Sequence, residues 1–474
     1  MLKARCCFLW LVPALACAAT VSRAQDGTLD PTFGNGGVVE IQWPAGYAEA
    51  NAVAIDSAGR ILLGGYASGP FGDADFALFR LSPSGALDTS FAGENDGFRL
   101  IDFDLAGIGG RSDDMINDIG VLGDGSVIAV GEAHFGVVNS QFALAKADSN
   151  GALDFTFGSA GIAHFGFNSF AAIDQGQLLR VDSAGRILIS GTVVCTCTSL
   201  DTFDYRAGVA RLTPQGSLDE TFNGGGRYFT AIWGDKSTMP PTLAAYSFPS
   251  TIVVDASQRI VVAGTISQPF PQSVALMRNM PDGKFDLGFG SQAIGRVLLT
   301  PPTGAAGAIW PLSNGKLMVS GSFGTSIPDT AFLTRLNDDG SPDSDFAADG
   351  LATTQALGNN EYEGFVFLSP TKSGGWLLAG QYGAANDSFA GVVLVRFGAD
   401  GTPDARFGAN GTVMFQVGAA GPFVVKRAAL QPDGKLVLAG SLPNSSIDGT
   451  RHFAVLRLLA DYDTLFVDGF EPVP

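Results

Sequence analysis

Short apolar stretches alternate along this chain with clusters of Gly, Asp, Ser and Pro, and no stretch after the first two dozen residues carries the spacing of an amphipathic helix. The first full set runs Gly37 to Gln42, Ala50 to Ile55, Ile61 to Tyr66 and Phe76 to Leu81. Each stretch is rich in β-branched or aromatic residues and bounded by turn formers, so each predicts a β-strand. Sets of four recur to the end of the chain, which makes the chain all-β.

Three markers count the sets. Leu-Asp-x-x-Phe-Gly opens at Leu29-Asp30-Pro31-Thr32-Phe33-Gly34, and its ring returns at Phe91, Phe157, Phe222, Phe289, Phe346 and Phe407. The Asp three residues earlier returns each time, as Asp88, Asp154, Asp219, Asp286, Asp343 and Asp404. The second marker is a turn and an apolar run ending in glycine, Asp56 to Gly65, with equivalents at Gly131, Gly191, Gly264, Gly321, Gly380 and Gly440. The third is an alternating strand ending in a cation, Phe76 to Arg80, repeated as Lys146, Arg211, Arg278, Arg335, Arg396 and Arg457. Each marker counts seven, and four strands per repeat predict a seven-bladed β-propeller with four antiparallel strands per blade. A solenoid of the same repeats would need atypical capping units, and none is visible.

The seventh repeat lacks a strand after Arg457-Leu458, whereas the N-terminus carries an orphan marker and an orphan strand near Gly37 to Gln42. Pairing that strand with Phe453 to Leu458 would close the ring inside the last blade. These motifs together resemble the delta-60 repeat family over about residues 28 to 459. The resemblance implies a propeller and brings no catalytic residues. The fourth repeat departs from it, with Ser257-Gln258-Arg259 where the turn glycine belongs.

Residues 1–24 read as a secretory signal peptide: Lys3 and Arg5, an apolar run from Cys6 to Ala19, then Ser22-Arg23-Ala24. The propeller then spans 25–459, and 460–474 form a tail resembling one found on many exported bacterial proteins, with no clear role. The run is too short to span a bilayer, so the mature protein is expected as a secreted, periplasmic or cell-surface monomer without a transmembrane span. A net charge of −18 argues against nucleic acid and anionic membranes as partners. Beyond the leader only Cys195 and Cys197 remain, at a spacing that admits a small strained disulfide or half a metal site, and an oxidising compartment favours the disulfide. With His134, His164 and His452 alone, no zinc pattern forms. Asp-rich turns such as Asn337 to Asp345 lack the length and terminal Glu of an EF-hand, so no motif places a cofactor, and a calcium ion on the acidic surface is left open.

A residue present in every repeat cannot mark one site. The recurring Asp is expected to cap its turn, the Phe to fill the space between blades, and the Arg to pair with a carboxylate at a blade edge. Sites are therefore sought where repeats differ. The two connections of variable length lie on one face of the disc, and the longest carry Tyr205, Trp233 and Asp235 beside Tyr228 and Phe229. Arg180 and Trp310 stand where other repeats have Ala54 or similar small residues, either facing a central channel or filling gaps between blades. These are the candidate ligand residues of a non-catalytic module binding an extracellular glycan, peptide or protein. The alternatives are a carbohydrate- or lactone-active hydrolase or lyase, and a structural surface component; carboxylates converging at the channel mouth would separate enzyme from binder.

Overall fold

The computed structural model describes residues 26–460 except 44–45, 70–71, 94–95, 104–112, 136–138, 168–172, 200–201, 234–245, 268–271, 292, 300–303, 324–329, 356–359, 385–387, 419–420 and 444–449; along 195–199, 202–203, 360–363, 384 and 388–390 it describes the backbone alone. The predicted signal peptide and all but the first residue of the tail lie outside the described residues.

The four strands predicted for the first set are Val38–Ile41, Ala48–Ile55, Ile61–Ser68 and Ala74–Leu81. Among the described residues the strands form five sheets of four and one of eight, and the larger sheet is two groups of four joined by the single parallel pair Ile173 and Ser140. Within a group the strands lie side by side in chain order, as in Ala48–Ile55, Ile61–Ser68, Ala74–Leu81 and Phe98–Ile101. The group at the end of the chain differs. It holds Val424–Leu430, Leu436–Pro443 and Arg451–Leu458, and its fourth strand is the N-terminal Val38–Ile41, antiparallel with Val38 opposite Leu456 and Ile41 opposite Phe453. The backbone N–H groups of Gly27 and Asp30 extend this seam by donating to Leu459 and Arg457, each at 2.8 Å.

The first strands of the groups pack on one another in chain order: Ala48–Ile55, Asp114–Val121, Ile173–Val181, Tyr246–Val254, Ala305–Pro311, Asn360–Pro370 and Val424–Leu430. The last of these also packs on the first. Apolar clusters therefore lie between groups. One joins Ala52, Phe76 and Leu78 to Ile116, Val127 and Ala143, and another joins Phe33, Ala50 and Phe79 to Val437, Ala439 and Phe453. The rings of the first marker sit in these seams with at most 3 % of their surface exposed, a burial worth about 2–3 kcal/mol per ring. Each ring lies under a turn glycine of the following group. A Cβ on Gly216, at φ +84°, would come within 2.8 Å of Phe157, and Gly85 covers Phe33 in the same way. Gly27, at the start of the described chain, covers Phe407. Among the described residues no helix is long and apolar enough to cross a membrane.

Candidate functional site

The recurring polar residues are consumed by the repeat itself. In Asp154 one carboxylate oxygen accepts the Thr156 backbone N–H at 3.0 Å and its hydroxyl at 2.6 Å, and the other faces Lys146 Nζ at 2.9 Å. The same pair forms between Arg80 and Asp88 (2.8 Å), Arg211 and Asp219 (2.8 Å), Arg278 and Asp286 (2.8 Å), Arg396 and Asp404 (3.0 Å), Arg457 and Asp30 (2.9 Å), and Arg335 and Asp343. The guanidinium also covers the marker ring, from 4.3 Å for Arg278 over Phe289 to 5.0 Å for Arg335 over Phe346. It then donates into the next group: Arg80 to the Ser149 carbonyl at 2.5 Å, Arg278 to that of Asp338 at 2.6 Å, and Arg457 to that of Pro83. The expected edge pair is thus a buried lock between groups, and Arg80, Arg211 and Arg278 keep 2–3 % of their side-chain surface. Hydrogen bonds hold Asp154 and Asp404 at about 2, chiefly from Thr156 and Arg406. At Asp30 burial pushes upward, but Thr32, Arg457 and Lys435 overcome it and the carboxyl also falls to about 2.

The first strands carry a second recurring device. Each is bulged at the same level, at Asn51, Asn117, Gln177, Ser250, Gly307-Ala308, Val366 and Lys426. The bulge tips a carbonyl toward the second strand, where only a residue without a Cβ leaves room. A Cβ on Gly131 would lie 1.8 Å from the Met115 oxygen, one on Gly191 1.9 Å from that of Gln175, and one on Gly440 1.8 Å from that of Val424. That close approach explains the glycine of the second marker. The bulged side chains tie neighbours together, Asn51 donating to the Ile116 carbonyl at 2.9 Å and Asn117 to that of Gly176 at 3.0 Å.

Arg180 lies on such a first strand, as the alternative of a channel-facing residue required, but its guanidinium is 3.6 Å from Asp118 of the preceding first strand. Asp118 in turn accepts the Leu179 N–H at 2.9 Å. Trp310 is half-buried against the apolar cluster that contains Met318, Phe365 and Leu378, so it fills a gap between groups. Arg427, which the sequence reading passed over, donates to the carbonyl of Gln177 at 3.3 Å. Its strand is the last of the first strands and that of Gln177 the third, so the side chain reaches between strands that are not neighbours in the packing order.

On the face of the variable connections, Tyr205 lies against Tyr246 at 5.2 Å and Phe248 at 5.3 Å between ring centroids. Tyr205 belongs to the strand Thr202–Leu212, and the other two open the first strand of the next group. Phe248 keeps 37 % of its surface exposed. On the other face of the same strand Asp204 and Arg206, both buried, form an ion pair. Trp233 is half-buried against the core formed by Leu178, Phe222 and Ile252. Asp235 lies outside the described residues, and of Cys195 and Cys197 only the backbone is described, on the strand Ile187–Ser199. The structure thus gives Tyr205 two aromatic partners that the sequence reading missed. On the opposite face a shallow cleft of about 540 Å³ lies over the seam of first and last groups, lined by Thr32, Gly59, Pro83, Gln431, Lys435 and Arg457. Its cations already hold Asp30, Arg457 at 2.9 Å and Lys435 at 3.3 Å.

Four-stranded antiparallel sheets whose first strands pack on one another in order define a β-propeller. The sequence matches a family described as domain of unknown function (DUF5122) beta-propeller over residues 59–91, 122–157, 202–222, 312–346 and 431–461. No curated protein matches the sequence. Similar solved structures include the polysaccharide lyase Uly1 (10 % identity, 86 % of this chain and 89 % of that one, TM-score 0.44) and a protein of unknown function from Dyadobacter fermentans (13 %, 90 % and 99 %, 0.41). Drosophila Semaphorin 2a is another (8 %, 92 % and 77 %, 0.47).

Proposed function

We propose that this chain is an exported, non-catalytic propeller that binds an extracellular glycan on the face of its variable connections, at the rings of Tyr205, Tyr246 and Phe248. The observation that carries the reading is this cluster of three aromatic side chains from two neighbouring groups, one of them well exposed. Flat rings suit the apolar face of a sugar, and rigid aromatic side chains lose little entropy on binding. The axis is the weaker place for a ligand, because Arg427 reaches toward Gln177 there and Arg180 is committed to Asp118.

The scaffold we infer has seven blades of the delta-60 type, with the N-terminal strand closing the ring. The packing of the last first-strand on the first, and the pairing of Val38–Ile41 with Arg451–Leu458, support that closure. Export rests on the leader-like residues 1–24. The test is calorimetric titration of a panel of neutral and acidic oligosaccharides, with product chromatography on each mixture. Tyr205→Ala and Phe248→Ala should each weaken binding about tenfold with the ligand left uncleaved. Cleavage products, or affinity untouched by either substitution, would overturn the reading.

A further inference from the structure

Counting from the glycine of the second marker finds the equivalents of Tyr246 and Phe248 in other groups. In the fourth group these two stand three and one residues before Pro249, the partner of Gly264. The same count from Ala50, the partner of Gly65, gives Tyr47 and Glu49 in the first group. In the second and third groups it gives Asp113 with Met115 and Ile173 with Gln175, so of these four groups only the first and fourth carry rings there. Glu49 lies directly opposite Tyr66 in the strand pair, which puts both side chains on one face of the hairpin. Tyr47 meets Tyr66 edge to face, with centroids 6.0 Å apart. Burial and the nearby Glu49 charge push the Tyr66 hydroxyl above the usual phenol range, so it stays protonated and donates to the Glu49 carboxylate. All three side chains are half-buried, at the strand ends that meet the variable connections.

We propose that Tyr47, Tyr66 and Glu49 form a second seat for a neutral glycan, so that one long polysaccharide chain engages the face of the variable connections twice. This rests on the reading of Tyr205, Tyr246 and Phe248 as a glycan site. Two rings and a carboxylate on one face are complementary to a sugar: the rings carry its apolar side and the carboxylate accepts its hydroxyls. A carboxylate has about four lone-pair sites, and the Tyr66 hydroxyl takes one of them. Tyr66 therefore fixes the direction of Glu49 while leaving acceptor capacity for a ligand. The Glu49 charge, on a chain of net charge −18, disfavours uronate and sulfate groups, which selects neutral sugars. The first and fourth groups are separated by two others in the packing order, so the two seats are distinct. A chain held at one seat meets the other at a high effective concentration, and the two together bind it more tightly than either does alone.

The experiment is calorimetric titration with cellotriose, xylotriose and mannotriose, with their soluble parent polymers, and with polygalacturonate. Two trisaccharides should bind per chain, and the matching polymer should bind about a hundredfold more tightly than its trisaccharide. Polygalacturonate should bind more weakly than any neutral polymer that binds. Tyr47→Ala should leave one trisaccharide per chain and bring the polymer affinity down to near that of the trisaccharide. Glu49→Gln keeps the shape of the side chain and should weaken the second seat about tenfold, which decides the matter if Tyr47→Ala loses its near-ultraviolet dichroism. A single trisaccharide per chain, weakened by Phe248→Ala and untouched by Tyr47→Ala and Glu49→Gln, would overturn the second seat and leave the first. Failure of every neutral sugar to bind would overturn both.

Discussion

The marker aspartates work as paired caps, and the two halves of that role can be separated. Asp154→Ala removes both bonds to Thr156 and the partner of Lys146. Its expected cost is about 1–2 kcal/mol, read as an earlier urea midpoint, with oligosaccharide binding unchanged. Lost binding at unchanged stability would show that the residue is part of a site instead. The same caps set an acid limit. Asp30, Asp154 and Asp404 titrate near 2 when folded, below the ordinary 3.8, so the folded state binds fewer protons than the unfolded one between those values. Their contribution is fully present above about pH 4 and lost as the pH falls toward 2. Asp174 has the opposite sign, because burial pushes its carboxyl up to about 6 against the pull of the Phe167 N–H and Arg227. Its contribution is complete below about 3.8 and lost as the pH rises through 6. Asp174→Asn should therefore stabilise the fold at pH 8 relative to pH 4, and a shift of the reverse sign would show that the ionised carboxylate is the better partner for Phe167 N–H.

At the scale of the strand, the bulge and its glycine form one unit. Gly440→Ala would drive a methyl group into the Val424 carbonyl, at 1.8 Å before any relaxation. The expected loss is about 1–3 kcal/mol, from strain where strands Val424–Leu430 and Leu436–Pro443 meet. A melting temperature within error of wild type would mean that the bulge can flatten. The contrast between the two kinds of glycine also shows what was legible in the sequence. The glycine of the second marker could be counted because it recurs, but its cause could not, since the crowding atom is a backbone oxygen with no sequence signature. The marker Phe was legible in place and in role, because a large ring at a fixed spacing has to be buried somewhere between repeats. The aromatic site was legible only in part. Tyr205 stood out in one long connection, whereas Tyr246 and Phe248 lie unmarked at the end of another, the stretch from Arg227 to Ser250, and only the packing of one group on the next brings them to it. Arg427 could have been noticed, as a cation on a first strand where other repeats mostly place small or aliphatic residues.

At the scale of the whole molecule the two ends of the chain meet in one group of strands. Residues 26–42 contribute four things to the last group at once. Val38–Ile41 pairs with Arg451–Leu458, Asp30 holds Arg457 and Lys435, Phe33 fills the seam to the first group, and Gly27 covers Phe407. Removing them would leave Arg457 buried without its carboxylate, a change that costs about 3–5 kcal/mol in comparable pairs. It would empty a ring-sized space worth about 2–3 kcal/mol and bare the edge of Arg451–Leu458, an open template for aggregation. Together these losses rival the roughly 5–15 kcal/mol that stabilises a typical domain. Deleting residues 25–42 should therefore give an aggregated or molten product, seen as lost near-ultraviolet dichroism and elution in the void volume. Deleting 461–474 should leave the melting temperature within about 1 °C of wild type, since among the described residues the paired backbone of the seam ends at Leu459 and a 1 kcal/mol loss would already move it by about 2–4 °C. Supplying residues 26–42 in trans as a peptide should restore part of the lost structure, because the pairing it makes is with a strand already in place. Equal tolerance of both deletions, or a folded monomer without residues 25–42, would mean that the first and last groups hold together without the N-terminal strand.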